Sequence, residues 1–165
     1  MTVEPCTAEL DTALELAAWA SARILVRPAT VEAKKHVADH VTETDREVEQ
    51  YVRRVLNARF PDHAVVGEEY GGTAAIDGPT WYLDPVDGTT NYAHGLGWSS
   101  FSLALFDADG PAVGVVADPY RGEIFSAVRG GPALCNGEPI TCSQATTLGG
   151  EIVTTEWAGY RPWPG

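Results

Sequence analysis

The sequence predicts an α+β fold, and two observations support that prediction. Apolar residues recur at helical spacing in two stretches near the N-terminus, and the second half of the chain contains short alternating segments separated by turn residues. Helical patterns that precede a run of strands are typical of α+β domains. We therefore expect two N-terminal helices packed on an antiparallel β-sheet meander.

The first helix is predicted to begin at Thr7 and to end before Pro28, which cannot continue it. Its apolar positions share one face: Leu10, Leu14, Ala17, Ala18, Ile24 and Leu25. The stretch that follows, as far as His40, has no apolar periodicity and carries Lys34. We expect a mobile loop there.

The second helix is predicted from a capping-box pattern, Thr44 followed three residues later by Glu47. A stripe of apolar residues then continues toward Phe60: Val48, Val52, Val55 and Leu56. Asp45 lies in the first turn of this helix, where the helix dipole alone favours a carboxylate.

Strands are predicted wherever apolar and β-branched residues alternate between turn signals. They cover residues 64–66, 81–83, 100–106, 113–116, 124–128 and 152–153. Asn136-Gly137 is typical of a tight hairpin turn.

Composition limits the possible partners and compartments. The chain has 165 residues and a formal charge of −12, which would repel nucleic-acid phosphates. The N-terminus lacks the basic start of a signal peptide, and no apolar run reaches the ~20 residues that span a bilayer. Its three cysteines lack metal-binding spacing and are typical of free thiols. We expect a cytoplasmic protein without nucleic-acid or membrane partners.

The strongest chemical signal is Asp84-Pro85-Val86-Asp87-Gly88, which follows the apolar segment Trp81-Tyr82-Leu83. Pro85 should end the strand, so that two carboxylates stand at its terminus. Carboxylate oxygens suit Mg²⁺, and Asp87 could cap a short helix from Thr89 whose N–H groups face a phosphate. The alternative is a turn in which both aspartates only accept backbone hydrogen bonds.

A third carboxylate follows the strand at residues 64–66. Gly67 breaks that strand and is followed by Glu68 and Glu69. Adjacent residues in extended chain point in opposite directions, so only one of the two can readily face the same site as Asp84.

The motif D-P-V-D-G-T-T-N-Y, from Asp84 to Tyr92, resembles the first signature of the inositol monophosphatase family. Val66-Gly67-Glu68-Glu69 and Val41-Thr42-Glu43-Thr44-Asp45 resemble two further family elements, in the family order. The resemblance implies that residues 1–165 form the N-terminal α+β half of the family's αβαβα sugar-phosphatase fold. A second signature, W-D-x-A-A-G-like, is absent from this sequence.

The resemblance also implies roles for individual residues. Mg²⁺, with Mn²⁺ as a substitute, would be held by Glu68, Asp84, Asp87 and the Val86 carbonyl, with Glu69 as outer support. Thr89, hydrogen-bonded to Asp45, would orient the attacking water together with Glu68. The substrate phosphate would meet the N–H groups of Gly88 and Thr89, close to Glu68, Val86 and Asp87. A loop lysine, matched by Lys34, helps to close the site in the family.

The expected substrate is myo-inositol monophosphate, with lithium sensitivity and a homo-oligomer such as a dimer. Histidinol phosphate, a sugar bisphosphate or a 3′-phosphonucleotide remain alternatives with the same chemistry. A metal- or phosphate-binding fragment without turnover is a further alternative. Two helices can cover only one face of the sheet, and strands such as 113–116 are apolar on both faces. The isolated chain is therefore predicted to dimerise, aggregate or need a C-terminal partner, and its turnover is predicted to be low or absent.

Overall fold

The computed structural model describes residues 6–26, 28, 30–33, 40–150 and 152. The helices in this part are α1 (Thr7–Ile24), α2 (Glu43–Arg59) and α3 (Thr89–Ala93). The strands are β1 (Val31–Ala33), β2 (His40–Thr42), β3 (Ala64–Gly67), β4 (Thr80–Asp87), β5 (Ser100–Asp107), β6 (Gly110–Asp118), β7 (Glu123–Val128), β8 (Leu134–Cys135) and β9 (Glu138–Pro139). Of the described helices, none has the length and apolar character needed to cross a membrane.

Seven strands form one sheet in the order β3-β4-β5-β6-β7-β8-β9. β3 runs parallel to β4, and every later neighbour in the sheet is antiparallel. The tight turn at Asn136 and Gly137 joins β8 to β9 with positive φ at both residues, as a two-residue hairpin turn requires. The α+β class and the meander are thus confirmed.

Helices α1 and α2 cover one face of this sheet, α1 on β5, β6 and β7 and α2 mainly on β4. The strand residues of that inner face are buried and apolar: Trp81, Leu83, Phe101, Leu103, Leu105, Val113 and Val115. Their removal from water is the main driving force for this packing. The sequence-predicted helices therefore bury the face that alternation assigned to the core.

The opposite face of the sheet carries apolar residues that no described element buries. We call Tyr82, Phe106, Val116 and Phe125 the outer face; each side chain is between 36% and 42% exposed. Tyr82 and Phe106 contact each other edge to face, with ring centroids 5.3 Å apart. The expectation that strand 113–116 is apolar on both sides is confirmed, since Val115 is buried and Val116 is not.

Two local predictions were wrong. Helix α2 is capped by Thr42 and Asp45, not by Thr44 and Glu47, because the chain turns helical at Glu43 and the Thr42 hydroxyl accepts from the Asp45 N–H. The predicted loop before His40 includes β1, which pairs with β2. All three β1 residues are exposed, so the strand exists through pairing and leaves no alternating apolar pattern to detect.

The predicted strand at residues 152–153 is not observed at Ile152, and Val153 lies outside the described residues. Lys34 lies outside them as well. The role suggested for Lys34 therefore stays a prediction.

Candidate active site

Strand β4 carries the acidic motif itself, and it continues through Pro85 to Asp87. The predicted strand end before Pro85 was therefore wrong. The pairing register with β5 shifts here, since Asp84 lies opposite Ser102 and Asp87 opposite Ser100. Pro85 sits inside this irregular segment, where its missing N–H interrupts no regular ladder.

Parallel pairing brings Glu68 to Asp84. Gly67 at the end of β3 pairs with Leu83 of β4, so Glu68, the first residue after β3, lies beside Asp84 within β4. The Glu68 N–H donates to the Leu83 carbonyl at 3.1 Å, which fixes this alignment. Sequence patterns had indicated carboxylates at the ends of two strands, and the structure places Glu68, just after β3, beside Asp84, which lies within β4.

The surroundings of Asp84 disfavour the ionised form of its carboxyl group. Burial raises its pKa most, the negative charges of Glu68 and Asp87 and a hydrogen bond with Glu68 raise it further, and the result is a pKa of about 8. Its Oδ1 is buried and has no hydrogen-bond partner among the described residues. A buried carboxylate oxygen left without a partner is unfavourable unless something of opposite charge compensates it.

These residues fit a divalent cation in charge and donor chemistry. Hard oxygen donors meet at one sheet edge, and a cation there would offset the repulsion that raises the Asp84 pKa. They do not form a closed ligand shell, because the described part of the chain holds no group of three or more His, Cys, Asp or Glu side chains arranged to hold a metal. The fit is that of an open site, in which water and substrate supply further ligands.

Thr89 and Asp45 meet beside this edge. The Thr89 hydroxyl lies 3.1 Å from Asp45 Oδ1 and 2.9 Å from the Val86 carbonyl, and one proton serves both acceptors. Thr89 is nearly buried and Asp45 is fully buried. The hydrogen bond that the resemblance implied between α2 and the start of α3 is present.

The second oxygen of Asp45 is also occupied. Asp45 Oδ2 accepts from the Thr42 N–H at 2.8 Å and from the Thr42 hydroxyl. Burial raises the pKa of Asp45, while the hydrogen bonds from Thr42 and Thr89 act in the opposite direction. The helix cap therefore also holds the acceptor of the Thr89 proton in place.

Gly88, not Asp87 as the sequence predicted, is the N-cap of α3. Its φ of 83° is a left-handed conformation that glycine adopts readily. A Cβ at Gly88 would also come within 2.8 Å of the Trp98 carbonyl. This close packing lets the chain turn from the end of β4 directly into α3 and brings Thr89 to Asp45.

A cavity of about 260 Å³ lies next to Asp87 and Gly88. Its wall also includes Trp98, Ser99, Ser100 and Asp118. Sequence reasoning missed these residues. Trp98 is 81% exposed and Asp118 ends β6, and neither belongs to a motif; only the folded sheet brings them beside the acidic turn.

Comparison with known proteins agrees with this geometry. The profile of the inositol monophosphatase family matches residues 5–162. The inositol-1-monophosphatase of Synechocystis sp. is 39% identical over 132 residues, which cover 79% of this chain and 46% of that protein. The chain spans about half the length of the curated relatives that it matches.

Solved structures share the fold. The Thermotoga maritima IMPase has a TM-score of 0.77 at 34% identity, covering 83% of this chain and 54% of that one. A Staphylococcal inositol monophosphatase-1 in an inhibitory complex soaked with 100 mM LiCl has a TM-score of 0.75 at 25% identity, covering 88% and 57%.

The matched relatives and solved structures are named inositol monophosphatases, which as a class are phosphoric monoester hydrolases. Within that class, the chain belongs to the inositol monophosphatase family.

Proposed function

We propose that this chain carries the cation site and the water-positioning pair of a Mg²⁺-dependent phosphomonoesterase that hydrolyses myo-inositol monophosphate to inositol and phosphate. One observation carries the proposal: the Thr89–Asp45 hydrogen bond stands beside the sheet edge at which Asp84 meets Glu68. The family of the chain supports the reaction class.

Mg²⁺, or Mn²⁺ in its place, would be held by Glu68, Asp84, Asp87 and the carbonyl of Val86. A bound divalent cation stabilises negative charge on phosphoryl oxygens and lowers the pKa of water. Asp84 gains most from it, because its Oδ1 lacks a partner and its neighbours are also acidic. A cation site requires mutually repelling carboxylates to lie close together, whereas a purely structural turn does not.

Thr89 orients the attacking water. Its single proton is directed toward Asp45 Oδ1 and the Val86 carbonyl, so the lone pairs of its oxygen are left to accept a hydrogen from water. Glu68, which interacts with Asp84 from the end of β3, would serve as the second acceptor. With both hydrogens held, the water directs a lone pair at phosphorus, and Asp45 supports the loss of its proton through Thr89.

The phosphate is held at the start of α3. The N–H groups of Gly88 and Thr89 belong to the first turn, where backbone donors are free of intrahelical partners. Close to them are Glu68, the Val86 carbonyl and Asp87, which complete the substrate contacts that we propose.

The cavity beside Asp87 would hold the alcohol part of the substrate. Its hydroxyl groups and carboxylates suit a neutral polyol, and Trp98 offers an apolar wall. Asp87 and Asp118 would repel a second phosphate, which favours inositol monophosphate over a sugar bisphosphate or a 3′-phosphonucleotide. Histidinol phosphate, whose leaving group is not anionic, is the alternative that this charge argument leaves open.

A second candidate function is metal or phosphate binding without turnover. It is favoured by the exposed outer face, an apolar surface that the described elements leave uncovered. Under this candidate, residues 1–165 form the N-terminal half of a larger domain, and activity needs further residues.

We also infer a homo-oligomer in a cytoplasmic setting. The outer face offers apolar surface for a second copy, and Cys6, Cys135 and Cys142 are free thiols.

Phosphate release by the purified chain tests these candidates. The assay compares myo-inositol 1-phosphate, histidinol phosphate, a sugar bisphosphate and a 3′-phosphonucleotide with Mg²⁺, and repeats the best case with LiCl. We expect release from inositol phosphate that Asp84→Asn abolishes and lithium inhibits. Mn²⁺ binding without release would favour the second candidate, and neither binding nor release would contradict both.

A further inference from the structure

A buried ion pair lies directly behind the Glu68 loop. Glu49 of α2 is fully buried, and its carboxylate contacts Arg53, one helical turn further on, at 2.8 Å. A buried charge is unfavourable unless it is paired and hydrogen-bonded. The remaining partners of this pair therefore show what the pair holds.

Among the described residues, the other hydrogen bonds to the Glu49 carboxylate come from the loop that follows β3. Oε2 accepts from the Glu69 N–H at 2.8 Å, and Oε1 accepts from the Tyr70 N–H at 3.1 Å. Arg53 adds hydrogen bonds to the Val65 carbonyl at 3.1 Å and to the Gly71 carbonyl. Glu49 and Arg53 together thus clamp both sides of residues 67–71.

The loop approaches this carboxylate so closely that only glycine fits at its start. A Cβ on Gly67 would collide with the Glu49 carboxylate, whose Oε2 would lie 2.8 Å away and its other atoms nearer. The loop closes on itself as well, since the Gly67 N–H donates to the Gly71 carbonyl at 2.9 Å. The glycine of the G-E-E element is explained by this contact.

Glu68 is the residue held between these anchors. Its own N–H is fixed on the β4 side by the Leu83 carbonyl, and the next two N–H groups are fixed on the α2 side by Glu49. Of the two adjacent glutamates, this leaves Glu68 facing Asp84. The backbone on both sides of the Glu68 side chain is thus pinned.

We propose that Glu49 is a positioning residue for the cation site, which it serves by clamping the backbone of Glu69 and Tyr70 so that the Glu68 carboxylate stays directed at Asp84. The inference rests on the proposed function, because it assigns Glu49 a role in that same site. Partners that orient a metal ligand contribute about 10–100-fold to metal affinity. Arg53 acts with Glu49, as it neutralises the buried charge.

Calorimetric titration of the 165-residue chain with Mn²⁺ tests this role. We compare the unaltered chain with Glu49→Gln, which keeps the side-chain size but removes the charge. The matched control is Glu47→Gln, also on α2, which breaks the exposed ion pair between Glu47 and Arg23 of α1. We expect Glu49→Gln to raise the Kd for Mn²⁺ about 10–100-fold, and Glu47→Gln to leave it unchanged.

Thermal unfolding of each variant separates positioning from mere stability. A Glu49→Gln chain that is less stable but binds Mn²⁺ like the unaltered chain would overturn the proposal. If Glu49→Gln does not fold, Arg53→Lys replaces it in the same titration. Lysine keeps the ion pair with Glu49 but loses the paired hydrogen bonds to the Val65 and Gly71 carbonyls. If the unaltered chain shows no Mn²⁺ binding that Asp84→Asn removes, the proposed cation site itself fails and the role of Glu49 falls with it.

Discussion

Asp45 of α2 and Asp84 of β4 are two carboxylates whose pKa is raised mainly by burial, and they differ in what surrounds them. Both oxygens of Asp45 accept hydrogen bonds, from Thr42 and Thr89. Among the described residues, Asp84 Oδ1 has no hydrogen-bond partner, and two further carboxylates raise the pKa of Asp84. Both oxygens of Asp45 thus have donors, whereas one oxygen of Asp84 has none in this part of the chain. Under the proposed function, Asp45 positions Thr89 and Asp84 binds the cation.

Thr89→Ala should give the largest effect, because it removes the hydroxyl group that connects the Asp45 carboxylate to the attacking water. We expect kcat for inositol phosphate to fall about 100-fold or more, with little change in KM, since the interaction acts in the transition state. The neighbouring Thr90→Ala is the matched control and should stay close to the unaltered chain. A Thr89→Ala chain with normal kcat and raised KM would show that Thr89 binds substrate instead.

Asp84→Asn should change stability with pH. The folded pKa of about 8 lies above the ordinary value of about 3.9, so the protonated carboxyl stabilises the fold at low pH and this stability is lost as pH rises toward 8. Asparagine cannot ionise. Without divalent cations, the variant should be more stable than the unaltered chain at about pH 9, by at least about 1.4 kcal/mol, and similar at about pH 4.

Urea unfolding in EDTA at these two pH values measures that difference. Adding Mn²⁺ should stabilise the unaltered chain and not the variant. Equal stability of the two chains at high pH would mean that the fold does not disfavour the ionised form of Asp84. The proposed difference between Asp84 and Asp45 would then be contradicted.

Asp45→Asn should have the opposite sign. The amide NH₂ cannot accept a hydrogen bond, so it faces either Thr42, whose N–H then loses its acceptor, or Thr89, whose hydroxyl then loses Asp45 as an acceptor and keeps only the Val86 carbonyl. We expect a destabilisation of about 1–3 kcal/mol near neutral pH, measured by urea unfolding. If Asp45→Asn made the chain more stable, the fold would disfavour the ionised carboxylate at Asp45 as it does at Asp84, and the contrast between them would be contradicted.

The two faces of the sheet offer a smaller and independent contrast. Val116 and Phe125 pair across β6 and β7 on the outer face. We expect the unaltered chain to sediment above its monomer mass and to bind a hydrophobic dye, and Val116→Thr with Phe125→Thr to reduce dye binding by about half. Leu148→Thr, at an exposed position away from the sheet, is the control. A monomer that ignores the dye would contradict the prediction.

Local patterns predicted the helices, the meander and the acidic residues, because periodicity and turn chemistry act over a few neighbouring residues. They did not predict the parallel pairing of β3 with β4, which joins Glu68 to Asp84 across intervening chain. The helix cap was misplaced by two residues because Thr42 and Thr44 both precede an acidic residue at the right spacing. Glu49 shows no motif, and only the fold reveals that it holds the Glu68 loop.

The central claim is that Glu68, Asp84 and Asp87 form an open site for a divalent cation, and Mn²⁺ calorimetry tests it most directly. The unaltered chain is compared with one carrying both Asp84→Asn and Asp87→Asn, at a pH above about 8 so that Asp84 is ionised in the unaltered chain. We expect weak binding by the unaltered chain and its loss in the variant, because the remaining carboxylate cannot hold the ion alone. Unchanged Mn²⁺ binding by the variant would contradict the site.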